Sequence, residues 1–405
     1  MTRSSLWVLV LAVSTLAAPA RAQSVSETTP DAEDPRAQTA SSAGSHQGDR
    51  LARLFDFVEQ QVGQFTAPVD GFGVRFGGIA SGSDLAAGPM WQRSALDGAL
   101  RLRTSAAASV FRDYDVEAGV AIPELRSHRV SLNAGASMRH LARERFYGLG
   151  MSTSATNQVM FELDRSEAHL AASVVAASWL SISGRGGWVD MSVADGDYAR
   201  AASISTRFDR RSAPGLGAPA TFAVLSASAV VDWRDIPGNP RNGGRLQVSL
   251  DRHSDQSVNQ YSFSSAALDV EQHFSWWRGQ RVLSLRGRAA ASTPDTGNDV
   301  PFYLQPTLGG NRMLRGFATD RFRDRSLVWA QAEYGWDLWP FLGAVLFYEG
   351  GAVAGEPAAF SFKDLKRDYG IGFRFGSART IAVRTDVAFG SGEGTRIAMR
   401  FNHAF

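Results

Sequence analysis

From Gly71 onward the apolar residues recur at every second position, and a period of two commits a chain to β-strands. Along 380–390, Ile381, Val383, Val387 and Phe389 share one side with Thr385, while Arg384 and Asp386 take the other. Along 395–405, Ile397, Met399, Phe401, His403 and Phe405 alternate with Ala398, Arg400, Asn402 and Ala404. Tyr369, Ile371, Phe373 and Phe375 oppose Gly370, Gly372 and Arg374, and Leu283, Leu285 and Ala289 oppose Ser284, Arg286 and Arg288. One face is apolar and the other carries charge or glycine. A soluble sandwich alternates in the same way, so the period alone leaves two environments open.

Strand length and export narrow the choice. The alternating segments run to about 10–15 residues, against about 5–6 for soluble strands and about 9–11 for a tilted membrane strand. Trp233, Trp276, Trp277, Trp336 and Trp339 fall at strand ends, where a barrel carries an aromatic girdle. At the N-terminus, Arg3, the apolar run Leu6–Leu16 and Ala20-Arg21-Ala22 read as a signal peptide over residues 1–22. No later apolar run approaches the roughly 18–20 residues a membrane helix needs. Only helices and closed barrels satisfy backbone groups in lipid, so the expected fold is all-β: a transmembrane antiparallel β-barrel over residues 70–405. Sixteen strands allot about 21 residues to each strand and connection. Segment by segment the alternation delimits fifteen, among them 92–105 and 110–122, and the even-number rule then implies two strands merged before residue 180.

Residues 23–49 are rich in Ser, Thr, Ala, Pro, Asp and Gln and read as a disordered linker. In 50–66, Leu51, Leu54, Phe55, Val58, Val62 and Phe65 recur at helical spacing, giving one short amphipathic helix that Pro68 ends. It suits a plug, a rim element or a membrane-surface contact. The 42 basic residues against 40 acidic become equal once Arg3 and Arg21 leave with the signal. The chain's basic balance therefore carries no argument for nucleic acid. With no cysteine, disulfide scaffolds and thiolate metal sites are excluded. No G-x-S-x-G, H-E-x-x-H or phosphate-loop motif occurs, and the seven histidines are scattered. The expectation is no enzyme: no catalytic residues, no cofactor and no metal.

The longest irregular stretch is Pro294–Arg325, and loops beyond about 12–15 residues are usually functional. Within it Leu314-Arg315-Gly316-Phe317 resembles the V/I-R-G-F/Y motif of the BamA/TamA outer-membrane assembly superfamily, whose barrel module is the bacterial surface antigen domain. Phe347-Tyr348-Glu349-Gly350-Gly351 resembles its F-x-D-x-G strand segment, with Glu in place of Asp. Asp232-Trp233-Arg234-Asp235-Ile236-Pro237, with Pro240 and Gly243, resembles its D-x-R-D-x-P…P…G turn, and Phe146-Tyr147-Gly148-Leu149-Gly150 another recurring string. Phe401, His403 and the terminal Phe405 resemble the C-terminal signal read by the barrel assembly machinery, with His403 where an aromatic is usual.

The resemblance implies that the motif loop folds into the lumen between strands eleven and twelve. It also implies outer-membrane location and a role in assembly or transport of a polypeptide or lipid, with membrane lipid and the assembly machinery as partners. A passive pore is the alternative. Members carry periplasmic POTRA domains of roughly 75 residues; residues 23–70 are too few for one, so the expected form lacks them. The alternation turns Leu346 and Tyr348 outward and Glu349 inward. An Arg315–Glu349 pair would then hold the loop, with Gly316 allowing close approach and Phe317 packing on the wall.

Overall fold

The computed structural model describes residues 70–401 apart from 80–84, 126–128, 197–200, 362 and 378. The signal peptide, linker, amphipathic helix, His403 and Phe405 of the sequence reading lie outside the described residues.

Among the described residues sixteen long strands follow one another: β1 Gly71–Gly78, β2 Leu85–Ala95, β3 Leu100–Ser109, β4 Tyr114–Leu125, β5 Val130–Phe146, β6 Val159–Ala177, β7 Leu180–Asp195 and β8 Ala220–Asp232. Then come β9 Gly243–Asp255, β10 Phe263–Trp276, β11 Arg281–Pro294, β12 Ser326–Trp339, β13 Leu342–Ala354, β14 Lys366–Gly376, β15 Ile381–Phe389 and β16 Arg396–Phe401. Each pairs antiparallel with its successor, from Phe72 opposite Trp91 in β1–β2 to Arg384 opposite Arg400 in β15–β16. The product is a meander of sixteen strands rolled into a barrel.

The count agrees with the sequence reading, and the merge lies before residue 180, as the arithmetic requires. The alternation over 92–105 belongs to two strands, β2 and β3, joined by the turn Leu96–Ala99. Leu96 is exposed and both it and Asp97 adopt positive φ (55° and 53°). A leucine at a turn tip keeps the apolar pattern running across a chain reversal, so periodicity misses the boundary. The Asp97-Gly98 pair is the available hairpin signal.

Burial follows the pleat. Leu346, Tyr348, Tyr369, Ile371, Phe373, Ile397 and Met399 are exposed, while Phe347, Glu349, Asp368, Arg374, Arg384 and Asp386 are buried. Large apolar side chains thus cover the outside and charges fill the inside, the inverse of a soluble protein and the arrangement of a lipid-embedded barrel. Connections at one rim are short, such as 178–179 and 340–341, whereas the other rim carries 147–158, 196–219 and 295–325. At the short-turn rim Trp233, Trp276, Trp277 and Trp339 are exposed; Trp336 is half-buried against Tyr334.

Candidate functional site

Segment 295–325 joins β11 to β12 and turns into the barrel instead of outward. Its first half docks on the β5–β7 wall. Phe302 is fully buried, with ring centroids 4.8 Å from Phe146 and 5.0 Å from Phe161. Val189, Met191, Ile204 and Tyr303 belong to the same apolar cluster. The Phe302 N–H donates to Pro214 O at 2.8 Å, and Arg323 Nη1 donates to Phe302 O at 2.8 Å.

The second half docks on the β12–β15 wall through Leu314–Phe317. Arg315 is 2% exposed. Its backbone N–H donates to Glu349 Oε1 at 2.7 Å, and its Nε donates to the same oxygen at 3.1 Å. Its Nη1 lies 2.9 Å from Asp386 Oδ2 and 3.5 Å from Glu333 Oε2. The guanidinium carbon sits 3.4 Å above the centre of the Phe347 ring, within cation–π range. Trp329 Nε1 donates to Glu349 Oε2 at 3.1 Å, so both carboxylate oxygens are engaged. Burial alone would lower the Arg315 pKa. Glu349, then Glu333 and Asp386, outweigh it and hold the group above its ordinary value, so the charge persists throughout the working pH range.

Gly316 N donates to Asp368 Oδ2 at 2.6 Å. A Cβ there would stand 2.9 Å from Asp368 Cβ, so only glycine fits without displacement. Leu314 and Phe317 are buried with Leu308, Phe322, Leu327, Trp329 and Val353, and the Phe317 and Phe322 rings meet edge to face at 5.2 Å. The motif thus divides its contacts by residue, with the ionic contact at 315, the close approach at 316 and apolar packing at 314 and 317.

Several participants escape the sequence reading. Asp386, Glu333 and Asp368 join Glu349 around the loop, and Arg374 links two of them, donating to Asp386 Oδ1 at 2.6 Å and Glu333 Oε2 at 2.9 Å. The alternation places Asp386 and Arg374 on the polar faces of their strands, which is the available signal; their convergence needs the inter-strand register. Arg321 is a second anchor. It donates to Glu393 Oε1 at 2.7 Å and to Thr153 Oγ1 and O at 2.9 and 2.6 Å, tying the segment to the connections 390–395 and 147–158. Within the Phe146–Gly150 string, Tyr147 is buried with Arg321 over its ring, and Gly150 N donates to Arg323 O at 2.8 Å.

The 233–242 turn is built on two aspartates. Asp232 accepts from Arg234 Nε and Nη2 at 2.9 and 2.6 Å. Asp235 accepts from the N–H groups of Ile236, Arg241 and Asn242 at 2.8–3.0 Å, which keep its carboxyl below the usual range despite burial acting the other way. Gly243 (φ 85°) brings its backbone against Trp233 O, where a Cβ would clash. The turn leans over the barrel mouth: Asn239 Nδ2 donates to Ser377 O at 3.2 Å, and Arg241 pairs with Asp337 at 2.7 Å. Of the C-terminal signal, the Phe401 backbone ends β16 opposite Val383.

Residues 99–404 match the Omp85 superfamily domain. Among solved structures the chain is similar to BamA from Haemophilus ducreyi lacking POTRA domains 1–3, at 15% identity and a TM-score of 0.62, covering 82% of this chain and 70% of that one. It also resembles CdiB from Escherichia coli, at 14% identity and a TM-score of 0.47 over 81% of this chain and 59% of that one. For CdiB from Acinetobacter baumannii the figures are 14% and 0.45 over 78% and 54%. No curated protein matches. With the family domain spanning β3–β16 and a BamA-like sixteen-strand barrel around it, the chain belongs to the Omp85 superfamily of outer-membrane β-barrels.

Proposed function

We propose that this protein resides in the outer membrane and assembles or transports a polypeptide or lipid there, working through the boundary between its first and last strands. One observation carries the reading. Every successive strand pair from β1–β2 to β15–β16 forms a ladder, whereas among the described residues β1 and β16 share none. Unpaired strand edges are costly in lipid and are templates for another chain. A barrel braced internally by segment 295–325 can leave that edge available without losing its shape. The chain contains no cysteine, so a cysteine in 71–78 and another in 396–401 would be the only thiols. Oxidising such a pair should abolish the protein's contribution to outer-membrane integrity in cells, and reduction should restore it. Full function in the oxidised form would sink the proposal.

A passive pore is the second reading, favoured by a cavity of about 660 Å³ beside the β2–β7 wall. Arg101, Arg103, Arg139, Arg165 and Arg185 line it with Glu117 and Glu167. Planar-bilayer conductance with and without segment 295–325 separates the two. The pore reading expects steady conductance in the intact protein; the assembly reading expects it only after deletion.

A further inference from the structure

Between the Arg315 latch and the 233–242 turn the lumen holds a second cavity, of about 90 Å³, with Arg286, Arg374 and Arg384 on its wall and Asn239 and Arg241 at its short-turn mouth. We propose that this cavity binds a phosphate-type oxyanion, with Arg384 as its anchor. Arg384 is 7% exposed, yet among the described residues it makes no hydrogen bond or ion pair, and its buried Nε has no acceptor. The carboxylates on the same face are already engaged, Glu333 and Asp386 by Arg315 and Arg374.

The cross-strand register adds positive charge instead of relieving it. Arg384 lies opposite Arg374 on one side and Arg400 on the other. Arg400, like Arg384, has no carboxylate partner among the described residues, and its Nε is also buried without an acceptor. Among the described residues Arg286 forms one ion pair, with Glu271 at 3.6 Å, and its Nε has no acceptor. A buried guanidinium without a counter-charge is strongly disfavoured. On the cavity wall Arg384 is that group, while Arg286 and Arg374 beside it keep their own carboxylates and Glu333 shares the wall. Planar guanidinium forks suit the oxygens of a phosphate. The volume admits one such group with its waters and leaves no room for an acyl chain. A phospholipid could therefore offer only its headgroup, and a free ion would fit as well.

The 233–242 turn forms the lid on the short-turn side. Arg241 is held by both Asp337 oxygens, at 2.7 and 3.1 Å, and by Gly279 O at 2.7 Å. It closes the mouth without spending its charge on the cavity.

The test uses the full chain in phosphate-free detergent, titrated calorimetrically with inorganic phosphate and, separately, with glycerol 3-phosphate as headgroup probe. Millimolar or tighter binding is expected. The tighter probe identifies the source: a free ion if inorganic phosphate wins, a lipid headgroup if glycerol 3-phosphate does. Arg384→Gln should weaken binding at least about tenfold, the loss of one charged hydrogen-bonding group. Arg252→Gln, at the far rim, should leave it unchanged. Heat-modifiable migration on gels verifies that each variant folds, and Arg286→Gln carries the same expectation should Arg384→Gln not fold. Absence of binding to both probes, or equal binding by wild type and both arginine variants, overturns the site.

Discussion

The inward segment meets the barrel at two places through different chemistry. At Phe302 the contact is aromatic and apolar, spread over residues of β5, β6, β7 and the 196–219 connection. At Arg315 it is ionic, concentrated in one guanidinium among Glu349, Asp386 and Glu333. An apolar dock tolerates small shifts and loses strength gradually as atoms are removed. A buried ion network fixes position and fails abruptly, because removing one partner strands the others. The two docks lie on distant walls, so the segment acts as a cross-brace whose ionic end sets register and whose apolar end supplies adhesion.

The comparison can be broken first at its ionic end. Arg315→Ala leaves Glu349 buried without its cation and Asp386 with Arg374 alone, and should cost about 3–5 kcal/mol. Protease should then cut segment 295–325 in outer-membrane preparations, and unchanged cleavage would count against the latch. Phe302→Ala should cost about 3 kcal/mol and expose the same segment. Here Phe302→Leu should recover most of the loss, which no neutral replacement at Arg315 should do. Additivity in the double variant Arg315→Ala/Phe302→Ala would show that the ends act independently; strong coupling would make them one device. Trp329→Phe removes a single donor from Glu349 and should lower stability by about 1.5 kcal/mol in urea unfolding. Last comes Arg252→Gln at the rim, where the half-exposed pair with Asp295 belongs to neither end; urea unfolding should show the smallest change of the series, and less still in high salt.

What the sequence disclosed divides along the same line. The strand period and the position of the long connection were legible because each depends on residues near one another in the chain, and the sixteen-strand total followed from chain length and the even-number rule. Glu349 could be assigned inward from the parity of Leu346 and Tyr348 alone. That Asp386 and Glu333 reach the same guanidinium was not legible, since it depends on the stagger of four strands. The Phe302 dock was hidden for another reason. Phe302 and Tyr303 sit in a run without periodicity, and nothing local distinguishes an aromatic that packs across a lumen from one that meets lipid. The 92–105 merge shows the limit of parity itself, which an apolar residue at a turn tip can carry through a reversal.

Chain order separates the two docks. The Phe302 dock is made by strands that precede the segment in the chain, β5 to β7. Every carboxylate that holds Leu314–Phe317 comes later, at 333, 349, 368 and 386. The full set of ionic contacts therefore needs β12 to β15 in register. A chain truncated or misregistered over its last quarter should therefore keep its segment half-attached and open to proteolysis.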